Sequence, residues 1–384
     1  MEAYLDNSAT TRCSKAAADI MMELLTQEFG NPSSLHMKGI DAEKYLTEAK
    51  KKIAKTLKVQ DKEIVFTSGG TESNNMALIG AAMANKRAGK HIITTSVEHA
   101  SVSSPINFLE ENGFEVTYLS VGSDGRISLD ELKESLRDDT ILVSIMHVNN
   151  EIGAVMPVEE AGAIIKEKNP SIIYHVDAIQ SYGKMIIRPK NMKCDLLSVS
   201  GHKIHGPKGS GFLYIKDKTK IKPIIYGGGQ QKGMRSGTEN VPAYAGLGVA
   251  AEEIYTDFEN KINHLYELRE YFIENVTKIP EVYVNGDISR NNAPHIVSVS
   301  IAGVRAEVIL HTLEDRQIYV SSGSACSSNK PSVSSTLKSI GVKPDLLDST
   351  VRFSFCVDTT KEELDYALSV MGEVIPKLQK YTRR

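Results

Sequence analysis

The chain has 384 residues, with 45 Lys and Arg against 48 Asp and Glu for a formal charge of −3, and it is 41% apolar and 24% charged. That is the composition of a globular protein of two or three domains at ~150 residues each. The near-neutral charge, with no long Lys/Arg run, excludes a general nucleic-acid binder, and no apolar stretch reaches the ~20 residues of a membrane span.

Glu2 and Asp6 leave no room for a basic and apolar leader at the start. Cys13, Cys194, Cys326 and Cys356 are far apart and form no C-x-x-C pair. A disulfide framework and a zinc ribbon are therefore not expected, and a cytoplasmic, reducing compartment is.

In chain order, short β-rich runs alternate with helical patterns from about residue 60 to 216. The predicted strands are Glu63–Ser68, His91–Ser96, Glu115–Ser120, Thr140–Asn149, Ile172–Ala178, Cys194–Ser200 and Gly211–Lys216. Most are apolar on both faces, as in a covered parallel sheet. Asn74–Asn85 and Ser104–Asn112 read as crossover helices. Seven strands with helical connections predict an α/β domain with right-handed crossovers. A helix follows over Asp257–Ile279, with apolar residues at helical spacing from Phe258 to Val276. Then come a strand (His295–Ile301), a helix (Ala306–Asp315), a strand (Ile318–Val320) running into a Ser/Gly loop, a last strand (Thr350–Phe355) and a helix from Lys361 to about Leu378. This last third reads as a separate α+β domain.

Ligands of open α/β sheets bind beyond the carboxyl ends of the strands. After Glu63–Ser68 comes Gly69-Gly70-Thr71-Glu72, whose backbone N–H groups at a helix start suit a phosphate, though the same pattern makes a tight turn. His99 follows the next strand and could stack on a planar ring, shuttle protons or be structural. Asp177 ends a mostly apolar strand, with Gln180 three residues on. A carboxylate buried there needs a partner, either a cation of the fold or a protonated ring nitrogen. Lys203 lies in Ser200-Gly201-His202-Lys203-Ile204-His205-Gly206-Pro207-Lys208-Gly209, directly after a strand. Its glycines and proline fix a tight loop at the mouth of the sheet, where a lysine can become a nucleophile towards an aldehyde. A phosphate cradle, a ring-stacking histidine, a buried carboxylate and a Schiff-base lysine are together what pyridoxal 5'-phosphate requires.

Read together, FTSGGTES, SVEH, HVNNEIG, HVDAIQS, SGHKIHGPKG, GMRSGT and SSGSAC resemble the cysteine desulfurase family. These are NifS/IscS-like members of the class V aminotransferase branch of fold-type I pyridoxal-phosphate enzymes, and the likeness covers nearly the whole chain. It implies a large cofactor-binding α/β domain over residues 15–256, with a mainly parallel seven-stranded sheet. Residues 1–14 and 257–384 would form a smaller α+β domain carrying the catalytic cysteine loop. The resemblance further implies that Lys203 holds the cofactor covalently, that Asp177 pairs with the pyridine nitrogen, and that Gln180 contacts the ring hydroxyl. His99 would stack on the ring and take part in catalysis. Gly70, Thr71, Ser200 and His202 would hold the phosphate. Thr238, in the R-S-G-T motif, would reach the phosphate of a neighbouring subunit, which implies a homodimer. Asn150 would contact the cofactor and, with Arg352, orient the substrate; by sequence alone Arg352 is equally a surface ion pair.

Cys326 sits among small polar residues with no apolar pocket around it. The resemblance makes it the nucleophile that takes sulfur from L-cysteine as a persulfide, leaving L-alanine. An acceptor such as an iron–sulfur scaffold would then receive the sulfur, and Cys326 could transiently ligate a cluster; no resident metal is expected. Three features depart from the family pattern. His205 stands where Tyr or Asn is frequent, Cys356 where Gly is common, and the chain ends soon after its last helix. The competing readings are transamination or selenocysteine lysis on the same scaffold, and a non-catalytic binder of a phosphorylated ligand. Transamination needs no thiol, so Cys326 discriminates.

Overall fold

The structure is a computed structural model and describes residues 1–322 and 334–382. Its strands are β1 (Ala3–Tyr4), β2 (Ile64–Thr67), β3 (His91–Thr95), β4 (Glu115–Leu119), β5 (Thr140–Met146), β6 (Ile173–Asp177), β7 (Leu196–Ser200), β8 (Gly211–Ile215), β9 (Val282–Asn285), β10 (Ile296–Ile301), β11 (Ile318–Tyr319), β12 (Ser321–Ser322) and β13 (Thr350–Ser354). All seven strands predicted between residues 60 and 216 form, each trimmed at its ends, and they make one sheet in the order β2-β8-β7-β6-β5-β3-β4. Strands β7, β6, β5, β3 and β4 are parallel. β8 runs against both of its neighbours, so β2 points the same way as the parallel set. The strand expected over Thr140–Asn149 stops at Met146. Beyond it, Asn149 turns the chain by accepting the N–H groups of Glu151 and Ile152 on its side-chain oxygen.

The helix expected from Asn74 starts at Gly70, and the one expected from Ser104 starts at Ala100. In the second, the His99 ring accepts the Ser101 N–H and caps the helix, which then carries Pro105 inside it. The link between β6 and β7 holds only the four-residue helix Pro189–Met192 instead of a full crossover helix. Helices Lys15–Thr26, Met37–Leu57, Val158–Lys168 and Val241–Tyr255 have no counterpart among the predicted elements. Val241–Tyr255 is buried over most of its circumference, so its sequence carries no one-sided apolar stripe. Gly248 lets it approach Met37–Leu57, where an added Cβ would lie 2.8 Å from the Ala49 Cα.

β12, β13, β10 and β9 form a second, antiparallel sheet, and β1 pairs with β11. One apolar cluster runs through residues from Ala17 to Ile254 and another covers the opposite face of the large sheet from Val65 to Leu213. A further cluster joins Ala3 and Leu5 to residues from Leu265 to Ile375. Among the described residues no helix is long and apolar enough to cross a membrane.

Candidate active site

The carboxyl ends of β2, β3, β5, β6 and β7 share one edge of the large sheet, and the loops leaving them carry the residues singled out above. Strand β6 is buried along its whole length and delivers Asp177, 4% exposed, into the protein interior. One carboxylate oxygen accepts the Ile179 N–H at 2.9 Å and the other the Asn74 side-chain amide at 2.8 Å. Burial pushes this carboxyl up, while these two donors and the His99 and Lys203 charges pull the other way. An acid in that state stabilises any cation brought against it.

The Asn74 amide also donates to the Ser101 hydroxyl at 2.9 Å, and that hydroxyl lies 2.8 Å from His99 Nδ1. Because the Ser101 N–H also donates to Nδ1, the neutral ring carries its proton on Nε2. A buried chain of hydrogen bonds thus joins the carboxylate at the end of β6 to the imidazole beyond β3. Asn74 and Ser101 are absent from the residues the sequence singled out. Asn74 lies four residues after Gly70, on the same face of its helix, and that spacing was the available signal.

Gly69 precedes the helix Gly70–Asn85 with φ 152°, and an added Cβ on Gly70 would lie 2.2 Å from Ile179 Cδ1. A side chain at residue 70 would have to displace Ile179, so glycine keeps the helix start packed closely against the loop after β6. Ser200, 2% exposed, adjoins Gly70 from the end of β7. Thr71 is exposed, His202 half-buried. Burial and the Lys203, Lys208 and Lys184 charges hold His202 down to about 4, leaving its ring neutral. Glu72 in the first helical turn is paired with Arg235 at 2.8 Å, which ties the segment containing Thr238 to the helix start. Thr238 itself is exposed.

Lys203 closes the short 3₁₀ turn Gly201–Lys203, and its ammonium donates to the carbonyl oxygens of Ser8 and Ala9. The Gln180 amide donates to the same Ser8 carbonyl at 3.0 Å. Lys184, 6% exposed, donates to the Lys203 carbonyl, and burial with the Lys203 charge brings it down to about 7. Arg352 corrects the surface reading: its side chain is 7% exposed, paired with Asp6 at 2.9 Å and bonded to the Asn150 carbonyl at 2.7 Å. Asn150 meets it through its backbone. The Arg352 Nε is buried with no partner among the described residues. One acid that the sequence left unassigned stands out. Burial, then the Asp177 charge, pushes Glu98 up to about 8, and it accepts from the Met146 N–H and the Thr95 hydroxyl.

Cys326 lies outside the described residues, but both flanks of its segment rest on the site. Ser321 and Ser322 pair with Arg352 and Val351 on β13. The Ser334 hydroxyl donates to Glu151, next to Asn150. Asp177 as a buried acid, the helix start at Gly70 with no side-chain cap, and Lys203 at the adjacent strand end fit pyridoxal phosphate: a counter-charge for the ring nitrogen, N–H groups for the phosphate and an amine for the aldehyde.

The profile of the class-V aminotransferases matches residues 3–367. The cysteine desulfurase IscS of Dictyoglomus turgidum is 46% identical over 98% of this chain and 95% of its own. A solved NifS-like protein superposes with a TM-score of 0.93 at 36% identity, covering 98% of this chain and 100% of that one. The structure described as SspA in complex with cysteine superposes with a TM-score of 0.80 at 35% identity, covering 93% and 100%. The chain belongs to the class-V aminotransferase family, in its pyridoxal-phosphate-dependent NifS/IscS-like group.

Proposed function

We propose that the protein is a cysteine desulfurase that converts L-cysteine to L-alanine and carries the sulfur as a persulfide on Cys326 to an acceptor protein. The observation that carries this reading over transamination is the anchoring of the Cys326 segment at both ends on the substrate side of the site, at Arg352 and Glu151. Cys326 is four residues beyond Ser322, so its reach from β12 is at most ~14 Å, at ~3.5 Å per extended residue.

When bound, pyridoxal phosphate supplies an aldehyde for the substrate amine and a ring that takes up electron density from Cα. Asp177 holds a proton at the pyridine nitrogen, and Asn74 and the Ile179 N–H hold Asp177. His99 is fixed in orientation through Ser101 and would hold the ring by its face. Gln180 and Asn150 would hold the ring, and Gly70, Thr71, Ser200 and His202 would hold the phosphate. Arg352 grips the substrate carboxylate. The Lys203 amine removes the Cα proton. Cys326 thiolate then bonds to the substrate sulfur as the Cβ–S bond breaks; carbon keeps that electron pair and is protonated on the way to alanine.

The same reading takes residues 15–256 as the large domain, with 1–14 and 257–384 as the small one, and the separate apolar clusters support the division. It also takes the protein as a homodimer in which Thr238 serves the neighbouring subunit's phosphate. Thr238 is exposed, and so are Met22, Leu25, Phe29, Leu35 and Met37, the apolar surface that a partner copy would cover. A cytoplasmic location follows from the need to return Cys326 to a thiol each turnover. The test is alanine and persulfide formation from L-cysteine. Cys326→Ala is expected to abolish sulfide release, and release at the parent rate would refute the mechanism.

A further inference from the structure

His205 and Cys356, the two internal departures from the family pattern, are far apart in the chain but adjacent in the fold. One donor atom from each, and one from Asp358, lie within 4.8 Å of one another. We propose that His205, Cys356 and Asp358 bind a divalent cation of the zinc class, with a water from the adjoining cavity as the fourth ligand.

Thiolate, imidazole and carboxylate together suit a borderline ion such as zinc, which takes four ligands in a tetrahedron. Ligand bonds of roughly 2.0–2.3 Å place donor atoms about 3.3–3.8 Å apart, so the three donors need only a small contraction. Asp358 can supply it. Its side chain is 81% exposed, so its carboxylate can turn towards the free ring nitrogen of His205.

The other two donors are already held. His205 adopts φ 62°, a left-handed conformation that a non-glycine residue keeps only where its surroundings impose it. Here the Thr11 hydroxyl accepts its backbone N–H at 2.8 Å, and the ring Nδ1 lies 3.0 Å from the Arg12 carbonyl oxygen. A carbonyl only accepts, so the neutral ring has its proton on Nδ1 and its lone pair on Nε2. Ligand histidines are commonly oriented by such a backbone carbonyl. Cys356 is fixed at its backbone, where its N–H donates to the Thr359 hydroxyl at 2.9 Å. All three side chains line a cavity of about 350 Å³, large enough to admit the fourth ligand. The acids Glu2, Asp358 and Glu363 around that cavity outnumber the bases Arg12 and Lys208. Lys184, the buried base whose charge also acts on Cys356, turns its amine to the Lys203 carbonyl.

A bound cation would join the chain just past β13 to the loop carrying Lys203. Thr11 bridges that loop a second time, donating to the His202 carbonyl at 2.9 Å.

The test uses holoenzyme carrying Cys326→Ser, so that the thiol of the sulfur-transfer segment does not compete. After treatment with a chelator it is titrated with Zn²⁺ against a chromophoric competitor, and one zinc per chain is expected. Adding Asp358→Ala, an exposed position that leaves folding intact, or Cys356→Ala should each weaken binding by at least about tenfold, the lower end of what outer partners of ligands cost. With Co²⁺, a thiolate charge-transfer band should appear in the difference spectrum and vanish with Cys356→Ala. Failure of the Cys326→Ser protein to hold zinc, or parent affinity in either added variant, overturns the proposal.

Discussion

Glu98→Gln separates a buried neutral acid from a buried charge. Glu98 titrates at 4.5 in an open chain and at about 8 in the folded protein, chiefly through burial and then through the Asp177 charge. Its folded value is raised, so between those limits the native state holds a proton that the unfolded state has lost. Stability therefore falls as pH rises, by ~1.4 kcal/mol per pH unit and about 5 kcal/mol across the interval. Glutamine mimics the neutral acid without titrating: its oxygen keeps the bonds from Met146 and Thr95. The expected outcome in urea unfolding of cofactor-free protein is near equality of the two proteins at pH 4.5. The variant should then gain steadily on the parent up to pH 8. With cofactor bound, a protonated ring nitrogen offsets the Asp177 charge, so the folded value should drop and the total gain across the interval should shrink. A stability difference that stays flat from pH 5 to 8 would refute the argument.

Gly70→Ala is expected to cost about 1–2 kcal/mol, the Ile179 overlap set against a gain of ~1 kcal/mol in helix propensity. Ile179→Ala in the same chain should relieve the overlap, and melting temperatures that fail to recover would refute it. Arg352→Lys is expected to raise KM for cysteine roughly tenfold or more while lowering kcat less, because one ammonium cannot serve Asp6, the Asn150 carbonyl and a carboxylate together. An unchanged KM would remove Arg352 from the substrate site.

Much of this architecture is legible in the sequence because the chemistry it reports is local. A covered parallel strand must be apolar on both faces, so β5, β6 and β7 stand out, and a charged residue at the end of such a run, Asp177, marks itself. Val241–Tyr255 is buried over most of its length, yet a helix apolar nearly all round has no phase to detect. Asn74 offers little more than its spacing from Gly70. It is one polar residue among several after Gly70, and its role exists only once β6 brings Asp177 within 2.8 Å. For Arg352 the residues alone leave a surface ion pair as an equal alternative, which goes once β13 is placed beside Asp6. Cys326 stands out by its small polar neighbours and takes its role from the family resemblance, and the described structure adds the anchoring of its flanks.

The residues that receive the Lys203 ammonium lie, along the chain, far upstream of the strand that steadies them. Ser8 and Ala9 are held in place because Asp6 bridges Ser354, Asn7 donates to the Ser354 carbonyl, and the Ser8 N–H donates to the Ser354 hydroxyl. During synthesis at ~5–20 residues per second, that segment waits on the order of 20–70 s for its partner strand to emerge. The large sheet can close long before then, with Lys203 already at its edge but its acceptors not yet braced. The acceptors of the reactive amine are thus fully braced only once β13 has joined the segment around Ser8, so a ribosome that stalls short of β13 releases a chain with its sheet complete and those acceptors tied to the Lys203 loop through Thr11.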